Sequence, residues 1–380
     1  MLKRLLFILF ICLSDVQTGF GQAKYLPKFM RKMLFETDSS RAASIIPLPV
    51  LNSAPETGIE FGGSILYSFY TDTIHRDTHV SNAFAFATIT TKGQNRFGLS
   101  TSRWLSQNLY HYSASLGYIN FPSDFYGIGN ATHLADAERI GEKRVKLNFG
   151  AEKLVTKDIY VGFVVGALTY RSSSEETNGI FETDPLIQNR EGGDNLFIGP
   201  SFIFDSRDNN TYTNTGFQLL SSYAFYKGIF GNNGYDGGLF AIEMMQYNRL
   251  SKKLNLAFDV YDTNLIGTQE PFYLLPALGS DELMRGYYNG RYRDKNYVAC
   301  QAELRYRITQ RVGLNFFGGT GTVFHDVFTF NELKPNYGGG LRYFFDVEKG
   351  LDVRMDYAFG EQRPGEPRQS GFYIGLGEAF

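Results

Sequence analysis

Hydrophobic and polar residues alternate along most of this chain with a period of two. In Leu109–Phe121, aromatic and aliphatic residues occupy every second position, and His, Ser or Gly stand between them. Leu351–Gly360 has the same form, with Asp352, Arg354 and Asp356 between apolar neighbours. Successive side chains of a β-strand point to opposite faces, so this period predicts strands with one apolar and one polar face.

The predicted strands have the length and the faces of membrane-spanning strands. They are about ten residues long, and a tilted strand needs about 9–11 residues to cross a bilayer. In Val298–Ile308, Cys300 shares an apolar face with aliphatic residues, while Glu303 and Arg305 lie on the opposite face. A soluble sandwich also alternates, but the long segments with aromatic residues near their ends favour a transmembrane barrel, apolar outside and polar inside. We therefore predict an all-β protein, a closed antiparallel transmembrane β-barrel.

Fifteen segments fit this strand pattern, and barrels made of one bacterial chain have an even number of strands. Ser44–Leu51 contains two prolines and is our candidate for a first strand, because proline is tolerated at an edge or seam. The prediction is thus a barrel of 16 strands. The fifteen segments are residues 56–71, 79–91, 94–105, 108–121, 143–155, 157–171, 195–205, 215–227, 237–249, 251–266, 296–308, 311–325, 335–346, 351–360 and 371–380.

Connections between the predicted strands fall into two classes. Short turns include residues 92–95 and 251–253, whereas residues 122–142, 172–194 and 267–295 form long loops. Short turns at one end and long loops at the other are typical of outer-membrane barrels. We therefore predict that the protein lies in the bacterial outer membrane, in contact with its lipid.

The beginning of the chain has the form of a secretory signal peptide. Lys3 and Arg4 precede an apolar stretch that is too short to span a bilayer, and a small-x-small cleavage site ends at Gly21. The predicted division of the chain is a signal peptide at residues 1–21, a short N-terminal segment at 22–43 and the barrel at 44–380.

Composition argues against several classes of function. The formal net charge of −2 offers no electrostatic basis for binding nucleic acid. Cys300 is the one cysteine left after removal of the signal peptide, so an intrachain disulfide is excluded. His75 and His79 share a polar loop, and His111 lies two residues from Ser113 without an identifiable orienting acid. We therefore expect no metal, no cofactor and no enzymatic activity.

Three short motifs stand out within this pattern. Met284-Arg285-Gly286-Tyr287 lies on the long loop 267–295. Asp205-Ser206-Arg207-Asp208-Asn209, followed by Gly216, lies between two predicted strands. The chain ends GFYIGLGEAF, in which the alternation places Phe372, Ile374, Leu376 and Phe380 on one predicted lipid face.

Together, in this order and within a predicted barrel, the motifs resemble those of the bacterial surface antigen barrels, the BamA/TamA-type superfamily. The first is similar to the family's hydrophobic-Arg-Gly-aromatic loop tip, and the second to its Asp-Thr-Arg-Asp-Asn turn. The ending resembles the C-terminal signal by which barrels are recognised for insertion. The resemblance implies a sixteen-stranded outer-membrane barrel that inserts or translocates proteins, with a long extracellular loop folded into the lumen.

The residues of the loop tip suit a buried position of this kind. An arginine inside the lumen needs a partner, and Glu303 faces inward on the next strand, where it can accept a bidentate contact from Arg285. Gly286 allows the backbone to approach closely, and Tyr287 can pack while its hydroxyl stays bonded. The alternative is a loop in water with a solvated arginine.

Two departures from the family pattern qualify the implied function. Gly319 stands where relatives carry an inward aspartate, so we expect the loop tip to lack one acidic partner. The stretch before the predicted barrel is too short for the client-capturing periplasmic POTRA domains of the family's assembly factors. We therefore expect assembly, insertion or translocation of envelope proteins or lipids, together with other envelope or barrel-assembly proteins. A passive pore or transporter is the alternative.

Overall fold

Sixteen antiparallel strands form one sheet that curls into a nearly closed barrel, as the alternation predicted. The computed structural model of the chain describes residues 41–54, 57–72, 74–75, 77–230 and 234–380. The predicted signal peptide at residues 1–21 lies outside the described residues, as do residues 22–40 of the predicted N-terminal segment.

Each strand pairs with its neighbours in chain order, and one short strand, β6, extends the sheet beside the start of β7. β5 and β7 pair directly, so β6 is not counted as a separate strand of the barrel wall. The strands are β1 (Ser44–Ala54), β2 (Gly58–Phe69), β3 (Ser81–Thr90), β4 (Asn95–Trp104), β5 (Tyr110–Asn120), β6 (Ser123–Phe125), β7 (Glu138–Thr156), β8 (Ile159–Ser174), β9 (Gly192–Asp205), β10 (Gly216–Ile229), β11 (Gly237–Arg249), β12 (Leu254–Ile266), β13 (Asn296–Arg307), β14 (Val312–Phe324), β15 (Lys334–Asp346), β16 (Leu351–Phe359) and β17 (Ser370–Leu376).

The two faces of the sheet differ as predicted. On β13, Cys300 is exposed on the outer face, while Gln301, Glu303 and Arg305 are buried on the inner face. Exposed apolar side chains recur on the outer face of most strands, as expected of a surface that contacts lipid. The core of this protein is consequently the polar interior of the barrel and the loops that enter it.

The long loops interlock at one end of the barrel. Isolated bridges join Gly129 to Arg293 and Gln188 to Pro271, which links the loops after β6, β8 and β12. Phe272 packs edge-to-face against Phe125 at the end of β6 and against Phe181 in the loop after β8. The helical structure here is limited to single turns such as Ile180–Thr183. Throughout the part of the chain that the structure describes, every helix is too short or too polar to cross a membrane.

Candidate functional site

The tip of the loop between β12 and β13 lies inside the barrel. Arg285 is fully buried, and its guanidinium contacts the carboxylates of Glu303 on β13 and Asp356 on β16, the latter at 2.5 Å. Its central carbon lies 3.5 Å from the centroid of the Phe317 ring, close enough for a cation–π interaction. The sequence pointed to Glu303 as a partner, and the structure adds Asp356.

Gly286 and Tyr287 fix the backbone of the tip against the wall. Gly286 has φ +102°, and a Cβ there would lie 2.7 Å from a backbone carbon of Phe359. Its N–H donates to the Tyr373 hydroxyl at 2.9 Å, and the Tyr287 hydroxyl donates to the Pro335 carbonyl at 2.6 Å. Only glycine fits this approach without strain, so the tip is held by backbone geometry as well as by charge.

The structure corrects the expectation that the tip lacks an acidic partner. A Cβ on Gly319 would lie 2.5 Å from the carbonyl oxygen of Cys300 and 2.8 Å from Oδ1 of Asn336, so this position has no room for an aspartate. Asp356 reaches Arg285 from β16 instead. The inward direction of Asp356 could be read from the alternation of its strand, but its contact with the loop could not.

Six buried side chains of alternating charge form a closed loop of ion pairs, which we call the charge ring. From Glu303 onward its nitrogen–oxygen distances are 3.0, 3.9, 2.6, 2.6 and 2.5 Å, and the Arg285–Glu303 contact closes it. Each ion has two neighbours of opposite sign and the formal charges cancel, which offsets the desolvation of the group. In order around the ring, its members are Arg285, Glu303, Arg305, Glu378, Arg342 and Asp356.

The last residues of the chain enter the lumen, so the expectation that Phe380 faces lipid is wrong. β17 ends at Leu376, and Gly377 turns the chain with φ +75°. Glu378 then joins the charge ring, and the Phe380 carbonyl accepts a hydrogen bond from Arg305 at 2.8 Å. The Phe380 ring packs with buried Met245 and Tyr247 on the opposite wall. The Glu378 carboxylate pairs with the inward-facing Arg305 and Arg342, and these ion pairs hold the tail inside the barrel.

The other three residues of the predicted C-terminal signal lie on the outer side of β17. Phe372, Ile374 and Leu376 alternate with Tyr373, which is buried inside the barrel. Their role in recognition for insertion stays a prediction.

The first and last strands meet at an unusual seam. Within the described residues, Ser53 and Phe372 form the one register pair between β1 and β17. Away from that pair, inward-facing Ile46 on β1 belongs to one apolar cluster with outward-facing Val353 on β16 and Leu376 on β17. Apolar packing and one hydrogen bond, from Lys349 Nζ to Ser44 Oγ at 3.1 Å, therefore hold this part of the seam, where a hydrogen-bonded ladder would be expected of a closed barrel.

The turn between β9 and β10 is held together by its own polar groups. Arg207 makes a bidentate contact with Asp205, at 2.7 and 2.9 Å. Asp208 and Asn209 each accept two backbone N–H groups within the turn. Gly216 has φ +117°, and a Cβ there would lie 2.5 Å from a backbone oxygen. The polar residues of the predicted family-type turn thus bond to one another and to the backbone of the same turn. The function of this turn stays a prediction.

The same turn reaches across the short-turn end of the barrel. The ring of Tyr212 packs edge-to-face on Phe344 of β15, with centroids 5.0 Å apart. The Asn210 side chain exchanges hydrogen bonds with the backbone of Val80, at 3.0 and 3.2 Å. This end of the lumen is therefore partly covered.

His111 has two side-chain partners that the sequence did not reveal. His111 contacts Glu152 through Nδ1 and Ser102 through Nε2, both at 2.9 Å, whereas Ser113 is not its hydrogen-bonding serine. The backbone of β5 pairs with β4 and β7 along this stretch, so its amides are committed to the sheet and not available to an oxyanion. Among the described residues, no group of three or more His, Cys, Asp or Glu is placed to hold a metal ion.

Solved structures show the same fold at low sequence identity. BamA from Haemophilus ducreyi lacking POTRA domains 1–3 matches with a TM-score of 0.54 and 12% identity, over 89% of this chain and 70% of that one. CdiB from Acinetobacter baumannii matches with a TM-score of 0.56 and 10% identity, over 88% of this chain and 59% of that one. CdiB from Escherichia coli matches with a TM-score of 0.54 and 9% identity, over 89% and 62%.

The chain thus spans less than two thirds of either CdiB protein. No protein-family model and no curated protein sequence matches it. At these identities the likeness concerns the fold, and the chain has the sixteen-stranded barrel fold of BamA and CdiB.

Proposed function

We propose that this barrel takes part in the assembly, insertion or translocation of envelope proteins or lipids in the bacterial outer membrane. The resemblance of its sequence motifs implies this role, and the seam is the observation that carries it. Among the described residues, β1 and β17 share one register pair, Ser53 with Phe372, and the rest of the seam is held by an apolar cluster and the Lys349–Ser44 hydrogen bond.

The seam separates more easily than any other junction of the wall. Elsewhere neighbouring strands are joined by ladder hydrogen bonds along most of their length, as between β1 and β2. In lipid, apolar side chains are solvated equally well by lipid tails, so the apolar cluster that contains Ile46 and Leu376 gains little from the hydrophobic effect. Separation exposes strand edges whose backbone groups need partners, and an incoming strand can supply them by β-augmentation.

The interior supports this proposal over a passive pore. The loop tip, the charge ring and the tail that ends at Phe380 all occupy the lumen. These groups fill space that ions or solutes would need in order to pass through an open channel.

A disulfide across the seam tests the proposal. Ser53→Cys and Phe372→Cys place thiols on opposed Cα positions, within reach of a disulfide, after Cys300→Ser removes the competing thiol. We expect oxidation to lower the amounts of other outer-membrane proteins in cells that depend on this variant, and reduction to restore them. The matched control is Ile65→Cys with Ala85→Cys, a pair within the wall between β2 and β3, and it should change nothing.

Two results would count against the proposal. If the locked seam leaves the outer-membrane protein levels unchanged while the cross-link is complete, opening of the seam is not part of the function. If the purified barrel also conducts ions equally before and after locking, the passive pore is the better description.

A further inference from the structure

A cavity of about 320 Å³ lies inside the barrel beneath the loop between β12 and β13. Three carboxylates line it: Glu243 on β11, Asp259 on β12 and Glu282 on the loop. Ala379 of the C-terminal tail forms part of its wall. No lysine, arginine or histidine belongs to this lining, so its formal charge is uniformly negative.

Nearby arginines are committed to other carboxylates. Arg285 is held by the charge ring, and Arg354 contacts Asp281 at 2.8 Å. Desolvation inside the lumen, followed by the charge of the adjacent Asp281, raises the pKa of Glu282 to about 7. The lining thus holds no cation that would favour the ionised form of Glu282, and a bound cation would favour it.

Two buried polar atoms at the cavity have no partner. Asp259 is 2% exposed, and its Oδ2 accepts a hydrogen bond from Gln301 at 3.2 Å, but its Oδ1 is unpaired. Tyr297 is 5% exposed, and its hydroxyl is also unpaired. Buried polar groups are ordinarily hydrogen-bonded, so the carboxylate oxygen lacks a donor and the hydroxyl, which can donate or accept, lacks a partner within the described chain.

The missing group can be identified by its chemistry. It must be positive, donate hydrogen bonds and tolerate aromatic surfaces, since the rings of Tyr261 and Tyr297 lie 5.8 Å apart at the cavity. A primary ammonium has three donors and interacts favourably with aromatic faces. The described residues offer no arrangement for a metal ion, and the volume suits a small aliphatic amine.

We propose that this cavity is a binding site for an aliphatic ammonium group, held by Asp259, Glu243 and Glu282 with Tyr297 as a further acceptor. The ammonium can come from a free amine or from a lysine side chain of a polypeptide in the lumen. Both sources present the same chemistry to the site. The proposal stands independently of the role of the seam.

Isothermal titration calorimetry on the full protein in detergent tests it, with 1,5-diaminopentane as the probe and 1,5-pentanediol as the neutral match. We expect saturable binding of the diamine only. Asp259→Asn and Glu243→Gln should each weaken it about tenfold or more, whereas Asp236→Asn, an exposed carboxylate on the loop before β11, should not. Heat-modifiable migration on gels confirms that each variant remains folded.

N-acetyl-lysine amide, compared with N-acetyl-norleucine amide, separates the two sources. Binding of the lysine form supports a polypeptide side chain, and binding of the diamine alone supports a free amine. The proposal is overturned if the diamine binds no better than the diol, or if the double variant Asp259→Asn/Glu243→Gln binds it like the wild type. It is also overturned if Mg²⁺ displaces the diamine at equal concentration, since the cavity would then be an unselective counter-ion site.

Discussion

Replacing Arg285 with alanine should destabilise the barrel and release the loop tip. Removing one partner of a buried ion pair typically costs 3–5 kcal/mol, because the other charge is left without compensation. Here Glu303 keeps Arg305 and Asp356 keeps Arg342, so neither carboxylate is abandoned. We therefore expect a loss of about 3 kcal/mol, at the lower end of that range.

A double-mutant cycle isolates the ion pair from the loss of packing. Arg285→Ala leaves the charge ring with one excess negative charge, and Glu303→Gln leaves it with one excess positive charge. The double variant restores neutrality, so its loss should be smaller than the sum of the single losses, with a coupling of roughly 1–3 kcal/mol.

Urea unfolding of the purified barrel in detergent measures these differences, and limited proteolysis of residues 267–295 reports release of the loop. Lys227→Ala is the matched control, because Lys227 pairs with Asp236 on the surface, where both side chains are mostly exposed. Its effect should stay within about 1 kcal/mol. Strictly additive losses, or a loop that remains protected in Arg285→Ala, would show that the charge ring does not hold the tip.

The thiol of Cys300 reports which solvent the outer face of the barrel meets. Cys300 is exposed on that face, so a membrane-impermeant thiol reagent should label it slowly in intact membranes, and rapid labelling would place this face in water. Burial lowers the pKa of His79 to about 4, against the opposing charge of Asp205 and with Arg207 and His111 acting in the same direction as burial. Burial of neutral His79 therefore contributes fully to the free energy of unfolding above about pH 6.5, the pKa of the unfolded chain. This contribution is lost as the pH falls through about 4, the pKa in the folded protein. Trp104, the single tryptophan, lies edge-to-face against His79 and stacks on His111, so its fluorescence should change over this range in the wild type and change less near pH 4 in His79→Gln.

The barrel could be predicted because each strand contains its own signal. A period of two is a local property, and it survives in every strand that faces lipid on one side and the lumen on the other. Even the proline-bearing first strand was placed correctly, since its position at the seam removes the need for one row of N–H donors. The start of β7 was missed, because residues 138–142 extend beyond the apolar band and no longer alternate clearly.

The charge ring could be predicted only in pieces. Arg305, Asp356 and their strands were recognisably inward-facing, and Arg285 needed a partner. Which carboxylate meets which arginine depends on the curvature of the sheet and on the depth of the loop, and neither is encoded in the period of a single strand. At the end of the chain, Glu378 interrupts the apolar row that leads to Phe380, and this was the local sign that the lipid-facing strand ends before it.

The charge ring and the seam anchor the two ends of the sheet differently. The ring ties the loop tip to β13, β15, β16 and the tail after β17, and breaking any of its contacts leaves a buried charge without one of its neighbours. β1 contributes no member to the ring and meets β17 through Ser53–Phe372 and the apolar cluster. Displacing β1 and β2 therefore disturbs no member of the ring, whereas displacing the end of β17 pulls Glu378 from Arg342. When the seam separates, the first strands should move outward while the last strand stays anchored by its tail.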